Sequence, residues 1–317
     1  ADIRGGFTVQ LAQSTDVPSG YGFSNSAKLD VTTADATPDA NGLLLLVYSF
    51  EGQDLQCLKY GTSSAETVTI AFWIRSNETG TFQVNLRMVE AYHIGQLVTI
   101  SSADTWEKKV ITFVGNTSNA MANDNSNELR IQFFFDAGSD NEGGGVPSSW
   151  AAVNEAKSYN GTLDLGDNTA NEVLITGLQM EVGEFNSDTI PEFQFESFDT
   201  NLRRCQRYCT LMKADVTFMR FTHGFSNSTT QAEGVVYFPV SMRSSPTLTT
   251  SGTASDYGIG VAGSTGTCSS VPIVGNASTT NPSFQDVYFT QNSLTANEPQ
   301  NLTGRTTDAF LRFESEL

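Results

Sequence analysis

The chain reads as an all-β protein: a jelly-roll β-sandwich over residues 1–185, a linker and short helical junction over 186–213, and a smaller C-terminal β-domain over 214–317. Three observations predict this. Nine segments in the first part, rich in Val, Ile, Thr and Phe, read as strands, several of them with the period-two alternation of a strand with one buried face. Clusters of Gly, Asn, Asp and Ser such as SNETG separate them, which is turn chemistry. One stretch, TNLRRCQRYC, carries helical spacing instead.

In chain order the strand segments are FTVQLAQ, AKLDVTT, LLLLVYSF, TVTIAFWIRS, TFQVNLRMVEA, QLVTIS, TWEKKVITFV, LRIQFFFDA and VLITGLQMEVGEF. In TVTIAFWIR the apolar set falls at Val68, Ile70, Phe72 and Ile74, so one face packs inward and the other carries Thr69, Ala71, Trp73 and Arg75. Nine strands with one greasy face each are satisfied by two stacked sheets, which bury both faces and leave few edges. Two polar stretches, 116–128 and 138–172, interrupt the rhythm. Long loops on a rigid sandwich are where binding groups sit.

The linker NSDTIPEFQFESFD leads into the junction. Asp199 or Thr200 can cap a helix over 200–212, with Leu202, Cys205, Cys209 and Met212 as its apolar stripe. Arg203, Arg204 and Arg207 lie off that stripe. They read either as a solvated face with local carboxylate pairs or as an interface that clamps acidic surface on a neighbour. Strands resume with VTFMRF, GVVYFPV, SPTLTTS, DVYFTQ and AFLRFESE.

Composition narrows the function. Asp and Glu number 35 against 17 Lys and Arg, a formal charge of −18, with a pI near 4.3. Nucleic acid and anionic lipid are thereby excluded as expected partners, since both need clustered cations. The longest apolar run, Leu43 to Phe50, is too short for a bilayer, so no membrane insertion is expected. A start at Ala1 that runs straight into FTVQLAQ suggests a natural chain that extends upstream. The cysteines, Cys57, Cys205, Cys209 and Cys268, form no C-x-x-C. On a helix, Cys205 and Cys209 would stand about 5–6 Å apart at Cβ, beyond the roughly 3.5–4.5 Å a disulfide takes. Reduced thiols and assembly in a reducing cytoplasm are expected.

Catalytic signals are weak. GIGVAG, Gly258 to Gly263, matches G-x-G-x-x-G, but STGTCSSVP after it cannot open the helix that a dinucleotide site requires; it reads as a β-turn. His93 and His223 lie in no hydrolase motif, and no catalytic residue is assigned. Calcium is compatible with the loop-borne Asp124, Asp136, Asp140, Asp164 and Asp167, yet no D-x-[DN]-x-[DN]-G loop occurs and no ligand set is assigned. Carbohydrate asks for exposed aromatics that stack on sugar faces beside polar donors and acceptors. Trp150 in PSSWAAV, Tyr92 with His93, and Tyr159 are the candidates; for Trp150 the competing reading is a loop anchor. Trp73 and Trp106, within strands, read as core or sheet-face packing.

ITGLQMEVGEF followed by NLRRCQRYC resembles the L-Q-x-E-x-G strand and C-Q-R-Y-Y helix of a widespread group of tailed-phage virion proteins, tail-fibre-like or carbohydrate-binding structural proteins. STDVPSGYGFSNSAKLDVTTAD, FEGQDLQCLKYGTSSAETVTIAFWIRSNETGTFQVNLR, DTWEKKVITFVGNTS, LGDNTANEVLITG and AFLRFESEL extend the resemblance over nearly the whole chain. It departs at Cys209, where the group has a second Tyr, and at PEFQFES, which lacks the usual Arg. The resemblance implies a jelly roll of carbohydrate-binding-module type in a non-enzymatic protein of the virion. Other virion proteins would be its partners, in a homo-oligomer, a trimer by analogy with fibres. A tail-fibre or appendage protein contacting host surface glycan is the leading expectation. A capsid decoration protein and a polysaccharide depolymerase are the alternatives.

Overall fold

The computed structural model describes residues 2–89, 91–261, 264–275 and 281–316. Two compact units divide the chain, Ala1–Gln194 and Phe195–Leu317. The first is a two-sheet antiparallel jelly roll. Its strands are β1 (Asp2–Arg4), β2 (Thr8–Ser14), β3 (Ser26–Thr33), β4 (Leu43–Glu51), β5 (Val68–Ser76), β6 (Gly80–Met88), β7 (Tyr92–Ile100), β8 (Glu107–Phe113), β9 (Asn127–Ala137), β10 (Ala151–Ala152) and β11 (Glu172–Val182). One sheet runs β1-β4-β9-β6-β7-β10 and the other β2-β3-β11-β5-β8. Each of the nine expected segments holds a strand.

The alternation does what the sequence predicts. Val68, Ile70, Phe72 and Ile74 of β5 are buried against Phe82, Val84, Leu86, Ile131 and Phe133 of the opposite sheet. Burying such side chains is worth about 1.5–3 kcal/mol each, which is why the inward set decides the register. Gly177 breaks the pairing of β11 with β5 between Thr176 and Gln179. It adopts φ +62°, and a Cβ there would lie 2.5 Å from the Phe23 ring. Only glycine permits both the backbone turn and that close approach, and so the segment before β3 can lie against the sheet.

The second unit begins with α1 (Phe198–Gln206) and continues as β12 (Cys209–Lys213), β13 (Met219–Ser226), β14 (Gln231–Tyr237), β15 (Thr247–Thr250), β16 (Tyr257–Val261), β17 (Ser264–Thr267), β18 (Ile273–Val274), β19 (Phe284–Thr290), β20 (Pro299–Gly304) and β21 (Phe310–Glu314). A three-stranded sheet, β12-β21-β15, and a seven-stranded sheet, β17-β16-β20-β13-β14-β19-β18, carry a core that includes Phe221, Tyr257, Phe289, Leu302, Leu311 and Phe313.

The helix is shorter than the expected 200–212. Ser197, rather than Asp199 or Thr200, caps it by accepting the Thr200 N–H. From Cys209 the chain pairs with β21, Thr210 opposite Phe313 and Met212 opposite Leu311. There the period of two suits the buried sheet better than the helical stripe does, so Cys209 and Met212 leave the helix. All four cysteines are free thiols. The GIGVAG glycines Gly258 and Gly260 lie within β16 and open no helix; Ala262 and Gly263 fall outside the described residues. Among the described residues no helix is long and apolar enough to cross a membrane.

Charge is divided unequally. The first unit holds 25 Asp and Glu against nine Lys and Arg, a net of −16, and the second holds ten against eight, a net of −2. Of the sixteen exposed large apolar side chains among the described residues, ten belong to the smaller unit. The first unit therefore carries most of the negative charge, and the second, among the described residues, most of the exposed large apolar side chains.

Candidate functional site

The outer face of the six-stranded sheet carries polar rows. Ser49, Arg130, Arg87 and His93 face one another across β4, β9, β6 and β7, and Val47, Gln132, Asn85 and Gly95 form the next row. Residues 138–163 fold over this face. Gln83 Nε2 donates to the Lys157 carbonyl at 2.8 Å, Asn85 Nδ2 to the Ser158 carbonyl at 3.0 Å, and the Gly95 N–H to the Pro147 carbonyl at 2.8 Å. Arg87 pairs with Glu155 at 3.0 Å. Tyr159 packs with Leu43, Leu45, Phe134 and Ala137 in a satellite core. The loop that reads as a polar display element is a cover, held by the hydrogen bonds that the buried polar row would otherwise lack.

This placement corrects the aromatic candidates. Tyr159 and His93 are each 1% exposed, so neither ring offers a face to solvent. Burial first, then the Arg87 guanidinium, holds the His93 imidazole below its ordinary value, and its Nε2 has no hydrogen-bond partner. Tyr92 is half-buried and packs on the main core. Trp150 is half-buried too: its Nε1 donates to the Val114 carbonyl at 2.7 Å and its ring meets Tyr60 edge-on at 5.7 Å. That is the anchor reading. Trp150→Phe should therefore cost about 1 kcal/mol of stability through the lost hydrogen bond, measured by denaturant titration, and leave any sugar binding unchanged.

Arg203 and Arg204 are exposed, with Arg204 bonded to Glu196 at 2.8 Å, and Arg207 follows the helix as its C-cap. Among the described residues no three His, Cys, Asp or Glu side chains converge to hold a metal. No calcium ligand is assigned. Asp136, the carboxyl most displaced from its ordinary range, is pushed up to about 7 by burial and by Asp164 and Asp167 nearby. It is 4% exposed and accepts the Gly166 N–H at 2.8 Å.

An aromatic platform lies instead on the outer face of the five-stranded sheet. Trp73, opposite Lys108 of β8 and Thr176 of β11, faces outward. Tyr21 lies against it with ring centroids 4.3 Å apart and is itself 54% exposed. The flanking Gly20 and Gly22 have φ of +86° and +81°, a conformation that glycine adopts at no steric cost. They hold Tyr21 at the tip of a tight bend. Arg75 lies two positions along β5 from Trp73, on the same face. Arg75 donates to Asp104 at 2.7 Å and Glu172 at 2.9 Å and lies 3.5 Å from Asp16, which accepts the Trp106 Nε1–H at 2.9 Å. Burial opposes ionisation of Glu172, but Lys28 and Arg75 outweigh it and hold its carboxyl below the usual range.

An exposed ring tilted at 49° against a second ring, on a sheet face that also carries guanidinium and carboxylate groups, suits a pyranose, whose C–H face packs on an aromatic while its hydroxyls bond to charged groups. Sequence reasoning placed Trp73 and Trp106 in the packing and missed Tyr21. The signal was the G-Y-G triplet, two positive-φ formers around one aromatic.

No protein-family model matches the chain, and no curated protein matches it. Among solved structures it is similar to the enzymatically active domain of tailspike protein 4 of bacteriophage CBA120, at 10% identity and a TM-score of 0.32, over 57% of this chain and 19% of that one. It is similar to a CBM4 structure at 13% identity and a TM-score of 0.32, over 56% of this chain and 79% of that one. It is likewise similar to the family 11 carbohydrate-binding module of the cellulase Lic26A-Cel5E of Clostridium thermocellum, at 15% identity and a TM-score of 0.29, over 56% and 84% of the two chains. The chain thus spans about a fifth of the length of the tailspike domain.

Proposed function

We propose that this chain is a non-enzymatic structural protein displayed on a phage particle, a tail-fibre or appendage component whose first unit holds host surface glycan on the Tyr21–Trp73 platform. The observation that carries the reading is the exposed Tyr21 ring set against Trp73 between two left-handed glycines, with Arg75 on the same strand face as Trp73 and paired to Asp16 and Asp104. The resemblance of ITGLQMEVGEF and NLRRCQRYC to the strand and helix motifs of tailed-phage virion proteins supports the location on a particle. The non-enzymatic reading is supported by the burial of Asp136, the carboxyl shifted nearest to neutrality, which is 4% exposed and held by the Gly166 N–H.

A glycan array of host surface polysaccharides tests the reading, with wild type beside Tyr21→Ala. Losing one aromatic stack is worth about 0.5–1.5 kcal/mol, so the variant should bind up to about tenfold more weakly, with unchanged thermal stability. Wild type that retains no glycan, or a variant equal to it, sinks the platform. Antibody labelling should decorate tails; signal confined to heads would replace this role with capsid decoration. New reducing ends released from host polysaccharide would replace it with depolymerisation.

A further inference from the structure

Beneath the cover on the six-stranded sheet lies a titratable group that glycan binding does not use. His93 sits in β7 at 1% exposure, and its Nε2 has no hydrogen-bond partner. A buried polar atom left in this way is costly in the neutral ring and more so in the charged one. Register sets His93 opposite Ala151 of β10 on one side and opposite Arg87 of β6 on the other, with Arg130 of β9 next in the row.

The cover is held to the sheet around this same ring. Trp150 and Tyr159 are its aromatic anchors, and residues 151–158 run between them on polar contacts. Ala151 and Ala152 pair with His93 and Tyr92, and the Val153 N–H donates to the Ala91 carbonyl at 2.9 Å. Glu155 meets Arg87, and the Lys157 and Ser158 carbonyls accept from the Gln83 and Asn85 amides. The charged groups nearest the imidazole are thus Arg87, with Arg130 one strand beyond it, and Glu155 and Lys157 from the cover. Glu155 is the one carboxylate among these four, and it is already committed. Its Oε1 accepts from Arg87 Nη2 at 3.0 Å, and its Oε2 accepts from Arg87 Nη1 at 3.2 Å and from the Ser158 hydroxyl at 3.1 Å. A proton on His93 would place a third cation in the row Arg130, Arg87, His93, closed to solvent and with Nε2 facing no acceptor.

We infer that His93 is an acid-sensitive latch: when its ring takes a proton, residues 151–158 lift from β7 and β6, and when the proton leaves they close again. Burial first and Arg87 second hold the closed imidazole below its ordinary value, with Glu155 pulling the other way. Released to water, the ring titrates near its ordinary value of about 6.5. The closed state therefore binds the proton less tightly than the open one. Closure is complete above the ordinary value and weakens as pH falls through it. Glu155 stays ionised over this window, because Arg87 outweighs the burial that opposes its charge. Asp136 acts in the opposite sense and strengthens the fold as pH falls, so the loosening is confined to the cover. The latch lies on the other sheet from Tyr21 and Trp73 and neither requires nor tests glycan binding there.

Hydrogen exchange on the full chain tests the latch, read on peptides spanning 151–158 and divided by the intrinsic rate at each pH. The opening constant of this segment should rise up to about tenfold from pH 7 to pH 5.5 in wild type. Peptides from β5, in the opposite sheet, should keep their protection. His93→Gln carries no charge at either pH and should abolish the rise. A second measurement serves if that variant does not fold. His223→Gln leaves His93 as the single histidine, and its ring resonance should titrate with a midpoint below about 6.5. An opening constant that is the same at both pH values, an equal rise in His93→Gln, or a His93 midpoint at or above the ordinary value overturns the inference.

Discussion

Phe72→Ala should lower the stability of the first unit by about 3–5 kcal/mol. Phe72 lies at the middle of β5 with no exposed surface, its ring edge-on to Phe133 at 5.0 Å and to Phe82 at 6.3 Å, both from the facing sheet. Truncation removes the transfer free energy of the ring and leaves a void that two hydrogen-bonded sheets cannot close. For a unit of this size each kcal/mol shifts the melting temperature by about 2–4 °C, so a drop of roughly 10 °C is expected. Trp73, Trp106 and Trp150, the three tryptophans of the chain, all belong to this unit, which makes their fluorescence in a denaturant titration the direct readout. A loss under 1 kcal/mol would mean that the two sheets do not close over this ring.

Asp136→Asn should stabilise the protein at pH 8 and do almost nothing at pH 4. Burial raises the folded-state pKa of Asp136 to about 7, against about 3.9 in an unfolded chain. The folded state then binds the proton more tightly than the unfolded state does. Its contribution is complete below pH 4 and is lost as pH rises through 7. Three units of difference correspond to about 4 kcal/mol, an upper figure that rearrangement around the ionised group reduces. Asparagine keeps an oxygen for the Gly166 N–H and carries no charge, so the difference between variant and wild type should grow between pH 4 and pH 8. Glu172, whose carboxyl is held low by Lys28 and Arg75, works in the opposite sense and weakens the fold as pH falls; the comparison of two proteins at each pH cancels it. Parallel stability curves, or a variant less stable than wild type at pH 8, would contradict the burial of a protonated carboxyl.

The sandwich was legible because its energetics are local in pattern. Side chains two apart share a face, and Val68, Ile70, Phe72 and Ile74 announce a buried face without reference to any other segment. The junction was legible only in its first two turns, because Thr210 and Met212 answer to β21, about a hundred residues later in the chain. The cover over the six-stranded sheet could not be read at all. Gln83, Asn85 and Arg87 look like a solvated strand face, and the loop that buries them looks like a solvated loop; their mutual hydrogen bonds become visible only when the two are brought together. Tyr159 and His93 were misplaced for that reason. Tyr21 and Trp73 meet across 52 positions, a distance over which composition and periodicity carry no information, although the glycines around Tyr21 already marked an aromatic held on a bend.

The bend at Gly20 and Gly22 has one more consequence. Its shape is set by the two residues that lack side chains, and residue 21 contributes its ring to the surface and nothing to the sandwich interior. A single codon can therefore exchange Tyr21 for another residue with little penalty in folding. On the proposed reading, the particle can drift from one host coat to another by altering its grip at the fingertip while the hand stays the same.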